Sequence, residues 1–211
     1  MDRYPEDVTE VGVSLYDGKK KRMAFSEGDE EEVKKETAYF AVKKGTYYLH
    51  PETESEIDYE LRDDDEEMQI RPFRYKIRYT FSSLKENGKK VTNLSKAPEL
   101  KKNEKVTGLM FPDGEEGDDT TYALYKITVP QKQQVTFRFE LGCNHIIGIN
   151  KIRVTLLDGK GKALEDGKYK KNSYTWYENG TYRETLAAGT YYISVEALST
   201  DSTGYYRISW K

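Results

Sequence analysis

Short runs of alternating apolar and polar residues recur along the chain. They are clearest at residues 11–15 (VGVSL), 122–129 (YALYKITV), 135–141 (VTFRFEL) and 152–156 (IRVTL). A period of two places the apolar side chains on one face of a β-strand, whereas a helix needs a period of about 3.6. The pattern predicts an all-β protein, with short helical turns only near residues 30–35 and 97–104.

Turn signals separate these runs. An aspartate or asparagine that tolerates positive φ stands before a glycine between several of them. These pairs include Asp17-Gly18, Asn87-Gly88, Asp158-Gly159, Asp166-Gly167 and Asn179-Gly180. The strands are therefore expected to form antiparallel hairpins.

The chain also contains an internal repeat. Residues 13–19 (VSLYDGK) match 154–160 (VTLLDGK), residues 42–49 (VKKGTYYL) match 186–193 (LAAGTYYI), and residues 75–79 (YKIRY) match 206–210 (YRISW). Three matches in the same order indicate that both halves contain the same structural module.

The first copy of this module lacks strands that the second copy has. The predicted strands at 105–110, 122–129 and 135–141 have no counterpart before residue 11. We therefore predict a partial unit, the C-terminal half of the module, at residues 1–83, a linker at 84–96 and a complete unit at 97–211. Half a module leaves an apolar sheet face bare and strand edges unpaired. Either the sequence begins inside a domain, or the half-unit packs on the second unit or on another chain.

Charge and cysteine content exclude several classes of function. The 34 basic and 37 acidic residues are mixed along the chain, so no sustained basic face is available for nucleic acid. The single cysteine, Cys143, excludes an intramolecular disulfide framework and a cysteine-based zinc cluster. No apolar run reaches the ~18 residues of a membrane helix, so no membrane span is expected, and the first residues do not resemble a signal peptide.

Catalytic motifs are scarce. The chain has two histidines, His50 and His145, and no phosphate-binding loop or metalloprotease motif. Cys143 and His145 would lie on one face of a strand. This spacing alone gives little support for a catalytic pair in which the thiol is the nucleophile and the imidazole is the base. We therefore expect no enzymatic activity. Glycan hydrolysis by paired carboxylates is the least favoured alternative.

Four segments of the second unit carry a family resemblance. They read APEL at 97–100 with VTGL at 106–109, GDDTTY at 117–122, VTLLDG at 154–159, and AGTYYI at 188–193 followed by GYYRI at 204–208. In this order they resemble the bacterial pre-peptidase C-terminal domain. The collagen-binding domains of clostridial collagenases look like relatives of that domain with the same plan. The resemblance implies an antiparallel, jelly-roll-like β-sandwich, repeated in tandem with the first copy incomplete, and an extracellular or cell-surface location.

An acidic loop is a candidate cation site. Residues 113–119 (DGEEGDD) combine glycines with clustered carboxylates, the hard oxygen donors that suit Ca²⁺. The candidate ligands are Asp113, Glu115, Asp118 and Asp119. Some relatives that look like this module bind calcium at a similar place. Two interpretations stay open, a calcium site and a solvated charged loop.

Aromatic residues on both sides of the Asn179-Gly180 turn are candidates for ligand binding. They are Tyr174, Trp176, Tyr177 and Tyr182. Rings exposed on a sheet stack on sugars or hold an extended peptide. In strand alternation Tyr174 and Trp176 share one face and Tyr177 lies on the other, so one set is expected in the core. A ligand platform and plain packing both remain open.

These observations predict a non-catalytic accessory module, secreted or on the cell surface. It binds a protein or a polysaccharide, or assists the folding or export of a neighbouring domain. The alternative is a structural spacer or assembly domain, in which the incomplete first unit self-associates by strand addition.

Overall fold

The computed structural model describes residues 10–28, 37–54, 76–112, 120–146, 149–164 and 174–211. The strands within these residues are β1 Glu10–Asp17, β2 Arg22–Glu27, β3 Tyr47–Glu54, β4 Lys105–Met110, β5 Thr120–Val129, β6 Gln133–Cys143, β7 His145–Ile146, β8 Ile149–Asn150, β9 Ile152–Leu157, β10 Thr175–Trp176, β11 Gly180–Leu186, β12 Gly189–Ala197 and β13 Gly204–Trp210. One short 3₁₀ turn, Leu94–Lys96, precedes the predicted helical patch at 97–104, while residues 30–35 lie outside the described ranges. The all-β prediction is confirmed.

Two four-stranded antiparallel sheets form a β-sandwich from the second half of the chain. One sheet has the order β10-β9-β12-β5 and the other β11-β6-β13-β4. A single cluster of buried apolar side chains from both sheets fills the space between them. This is the antiparallel sandwich that the family resemblance implies. In the described part of the chain, no helix is long and apolar enough to cross a membrane.

Strand β6 shows why alternation forms this core. Val135, Phe137, Phe139 and Leu141 are buried, while Arg138 between them is exposed. Each buried aliphatic or phenyl side chain stabilises the fold by about 1.5–3 kcal/mol relative to its exposed state. The tyrosines of the core keep their polar ends paired, because the hydroxyl oxygens of Tyr125 and Tyr206 lie 2.7 Å apart.

A separate three-stranded sheet, of order β2-β1-β3, forms from the first part of the chain. Strands β1 and β2 are joined at the predicted Asp17-Gly18 turn. Asp17 Oδ1 accepts hydrogen bonds from the backbone N–H groups of Lys19 and Lys21, at 2.8 and 2.9 Å. The predicted hairpin is therefore present.

The two matching segments pair in the same register. Leu15 lies opposite Leu49 in the pair β1–β3, and the matching residues Leu156 and Ile193 lie opposite each other in β9–β12. The turns agree as well, because Asp158 Oδ1 accepts from the backbone N–H groups of residues 160 and 162 as Asp17 does from its own turn. The hydrogen bonds that Tyr47 and Tyr191 donate to the carbonyl four residues upstream also match.

The third repeat match differs between the two units. Residues 204–210 form β13 between β4 and β6, whereas residues 76–93 form neither strand nor helix in the part of the chain that is described. The boundaries at 83, 84–96 and 97 stay a prediction.

Two predicted hairpin turns have other roles. Asn179-Gly180 connects β10 to β11, which belong to different sheets, so the chain crosses the sandwich there. Asn87-Gly88 joins no hairpin, and Asn87 bonds instead to the outer edge of β4. A turn motif reverses the chain direction locally. It does not determine with which strand the following segment pairs. The Asp166-Gly167 pair lies outside the described residues.

Candidate functional site

The predicted aromatic residues divide between core and surface. β10 pairs with β9 and places Trp176 opposite Val154. The indole is buried between the sheets, with ring centroids 5.0 Å from Phe139 and 5.1 Å from Tyr182. Tyr174 stacks on it at 6.3 Å. Trp176 therefore presents little surface to a ligand.

Tyr177 lies apart from this group. It is the next residue after Trp176, on the opposite face of the strand, and its side chain is exposed. Tyr182 is half-buried, its hydroxyl donates to the Glu178 carbonyl at 3.2 Å, and burial followed by the charge of Glu178 raises its pKa. The structure thus brings together Tyr174, Trp176 and Tyr182 and leaves Tyr177 on the surface. Ligand binding by these four residues stays a prediction.

The acidic loop with Asp113, Glu115, Asp118 and Asp119 lies outside the described residues. Within the described ranges, no group of three or more histidine, cysteine, aspartate or glutamate side chains is placed to hold a metal ion. The calcium interpretation therefore stays a prediction of the sequence.

Cys143 has the environment of a structural thiol. It is buried at the end of β6, and its Sγ donates to Asn150 Oδ1 at 3.2 Å. Burial raises the pKa of the thiol to about 11, although the backbone N–H groups of Ile152 and Lys151 act in the opposite direction. The thiol is therefore protonated near neutral pH, and a protonated thiol is a poor nucleophile.

Apolar side chains of the first unit are exposed. They are Tyr39, Tyr48, Leu49, Ile77, Tyr79 and Phe81. Tyr79 and Phe81 are the most exposed, at 69% and 82%, and their rings meet edge to face at 5.8 Å. The repeat predicted a bare apolar face in this unit. It did not identify these residues, because their exposure depends on which neighbouring segments pack against them.

A polar junction holds the first sheet against the sandwich. Asn144 Nδ2 donates to the carbonyl oxygens of Phe25 and Asp201, at 2.7 and 3.0 Å, and Asn144 Oδ1 accepts from the Thr203 N–H at 2.9 Å. The His145 N–H donates to Ser26 Oγ at 3.0 Å. The first sheet therefore contacts the sandwich through these hydrogen bonds.

Part of this chain is similar to proteins of known structure. No family model matches the chain, and no curated protein matches it. A crystal structure of the pre-peptidase C-terminal domain of a collagenase from Bacillus anthracis is similar, with a TM-score of 0.38 and 16% sequence identity. The match covers 55% of this chain and 95% of that one. Similarity at this level does not establish a family.

Proposed function

We propose that the chain is a non-catalytic accessory module that binds a protein through exposed apolar side chains of its first unit. The observation that carries this proposal is the exposure of Tyr79 and Phe81. Aromatic rings are enriched where proteins bind one another, because they bury a large area at a small cost in side-chain entropy. A pair of adjacent, solvent-facing rings is consistent with such a contact.

The second unit offers few aromatic rings for such a contact. Several of its rings, Trp176 among them, pack in the core. The buried, protonated thiol of Cys143 gives no support to nucleophilic catalysis. An extracellular or cell-surface location belongs to the same proposal and rests on the sequence resemblance.

Binding is tested with the full chain on peptide and glycan arrays, followed by titration of any hit. We expect a polypeptide ligand, and a Tyr79→Ser/Phe81→Ser variant that binds it at least about tenfold more weakly, since two apolar rings leave the interface. The matched control is Tyr177→Ser, an exposed tyrosine of the second unit. Equal binding by the Tyr79→Ser/Phe81→Ser variant and the parent chain contradicts the proposal. If a glycan is the sole hit, the ligand is a polysaccharide and not a polypeptide.

Calcium binding by residues 113–119 is a separate part of the proposal. An ion that binds only the folded chain raises its melting temperature. We expect Ca²⁺ to raise the Tm relative to excess chelator, and Asp118→Asn/Asp119→Asn to reduce the shift. The same Tm in Ca²⁺ and chelator identifies the loop as a solvated one.

A further inference from the structure

Residues 91–100 cover the outer edge of β5. The Leu124 N–H donates to the Val91 carbonyl, and the Lys126 N–H donates to the Pro98 carbonyl, both at 2.8 Å. The Leu100 N–H in turn donates to the Lys126 carbonyl at 2.8 Å. Backbone groups that a sheet edge would otherwise present to another strand are therefore occupied.

The outer edge of β4 is covered in the same way. Asn87 N–H donates to the Thr107 carbonyl at 3.0 Å, and the Thr107 N–H donates to Asn87 Oδ1 at 2.6 Å. The Leu109 N–H donates to Glu86 Oε1 at 3.1 Å. Residues 86–100 thus protect two edges of the sandwich.

Strand β3 has no such cover among the described residues. It pairs on one side with β1, and no partner strand is described on its other side. Its counterpart β12 has the same relation to β9 but also pairs along its other side with β5. The edge of β3 that is open in the described structure is therefore equivalent to an established strand interface in the same chain.

Side chains of β3 are more exposed than the equivalent side chains of β12. Leu49 in β3 is 37% exposed, whereas the matching Ile193 in β12 is 1% exposed. Tyr48 is also exposed, whereas its counterpart Tyr192 is buried. Leu49 and Tyr48 therefore correspond to residues of a strand that is paired on both sides, because their counterparts Ile193 and Tyr192 lie in β12 between β9 and β5.

We propose that the open edge of β3, at residues 47–50, accepts an antiparallel strand of a partner polypeptide with the alternating pattern of β5. In the equivalent register, the partner places the counterpart of Tyr125 opposite Leu49, as β5 does opposite Ile193. Main-chain hydrogen bonds give affinity in this mode of recognition, and alternate side chains give specificity. This inference rests on the proposed function in one respect, since it names a polypeptide as the ligand.

The pairing has a defined end. Pro51 has no N–H to donate to a ladder, so a strand added at this edge loses regular hydrogen bonding there. The pair β12–β5 changes register after Val195, the counterpart of Pro51. The docking surface is therefore the short stretch from Tyr47 to His50, and the ligand is a strand of four or five residues in contact.

The probe is a fluorescent peptide of residues 120–129 with a charged solubilising tail, titrated with the full chain. We expect saturable binding and slower amide hydrogen exchange in β3, with exchange in β12 unchanged. A shuffled peptide of the same composition should not bind. Leu49→Lys is expected to weaken binding at least about tenfold, because it removes an apolar side chain that the added strand would cover, whereas Thr185→Lys, at an exposed position of β11, leaves binding unchanged.

Several outcomes overturn this inference. They are no binding, protection in β12 instead of β3, or a folded Leu49→Lys chain that binds as the parent does. A dimer in sedimentation, with β3 amides already protected before peptide is added, identifies a second copy of the chain as the occupant and also overturns it. The Tyr79→Ser/Phe81→Ser variant distinguishes the two proposed sites. If it no longer binds the ligands found on the arrays but still binds the 120–129 peptide, the edge of β3 and the Tyr79–Phe81 pair are separate sites.

Discussion

Trp176 shows how position in the fold decides the role of an aromatic side chain. Its indole packs against Phe139 and Tyr182 in the core, while the adjacent Tyr177 faces solvent. The alternation in the sequence separates these two residues but does not say which side is the core. That choice follows from the second sheet, which covers one face of β10.

Replacing Trp176 with alanine should therefore destabilise the chain. We expect the free energy of unfolding to fall by about 3–5 kcal/mol, because a large buried ring is removed and a cavity remains. Urea denaturation followed by circular dichroism measures the change. The matched control, Tyr177→Ala, should stay within about 0.5 kcal/mol of the parent. Comparable losses in both variants would contradict the assignment of Trp176 to the core.

Asp201 and Lys151 form a largely buried ion pair, with Lys151 Nζ 2.7 Å from Asp201 Oδ2. Burial on its own would raise the pKa of Asp201. Hydrogen bonds from Lys151 and Ser199 outweigh it, so the pKa lies below its usual value. A lowered aspartate pKa contributes stability above its unfolded-state value of about 3.9, and this contribution is lost as pH falls through the folded-state pKa.

A Lys151→Met variant tests this pair. We expect a loss of about 3 kcal/mol at pH 7, because the Asp201 carboxylate then lacks its buried counter-charge. The loss should be smaller at pH 3, where protonated Asp201 needs no partner. Unfolding curves at both pH values give the difference. Lys132→Met, at an exposed lysine, is the control, and a loss in Lys151→Met that does not depend on pH is the contrary result.

At the scale of elements, the start of β13 depends on a glycine. Gly204 has φ of 145°, and a Cβ there would lie 2.1 Å from the Gly142 carbonyl oxygen. This close approach allows β13 to pair with β6 on one side and β4 on the other. Any side chain would force the central strand away from its neighbours.

We expect Gly204→Ala to lower the free energy of unfolding by about 3 kcal/mol or more, from backbone strain and steric overlap together. Gly189→Ala is the matched control, since the nearest atom to its Cβ is 3.6 Å away, an ordinary contact. Thermal and urea unfolding of the two variants give the comparison. A Gly204→Ala chain as stable as Gly189→Ala would show that β13 tolerates a shift.

The elements also show where sequence patterns stop being informative. Residues 135–141 alternate and form β6, and Asp17-Gly18 joins the β1–β2 hairpin. Residues 76–81 alternate equally well but form no strand, because a strand exists only with a partner that supplies its hydrogen bonds. Alternation indicates which residues can form a strand. The tertiary structure shows which of these segments have a partner strand to pair with.

At the scale of the whole molecule, Asn144 connects the first sheet with the sandwich. Its side chain bonds to Phe25 in β2, to Asp201 and to Thr203 at the same time. Because the amide satisfies backbone groups from separate segments, its removal leaves several of them without a partner.

Asn144→Ala should loosen the first sheet more than the second unit. We expect a stability loss of about 2 kcal/mol, together with faster amide exchange in β1 and β2 than in β9 and β12. Hydrogen exchange followed by mass spectrometry resolves these strands. Asn93→Ala, which removes only the cap of the short 3₁₀ turn, should leave exchange in β2 as it is. Uniform acceleration throughout the chain would indicate that the two parts unfold together.

The sequence by itself determined the β class, the antiparallel hairpin at residues 17–18 and the pairs of equivalent segments. These follow from local properties, namely side-chain alternation, turn residues and similarity between 13–19 and 154–160, whereas the sandwich was implied by the family resemblance. The role of Trp176 in the core, the raised pKa of Cys143 and the edge of β3 that no described strand covers were decided only by the tertiary structure. Burial and strand pairing depend on residues distant in the chain, and no local pattern encodes which distant residues come into contact.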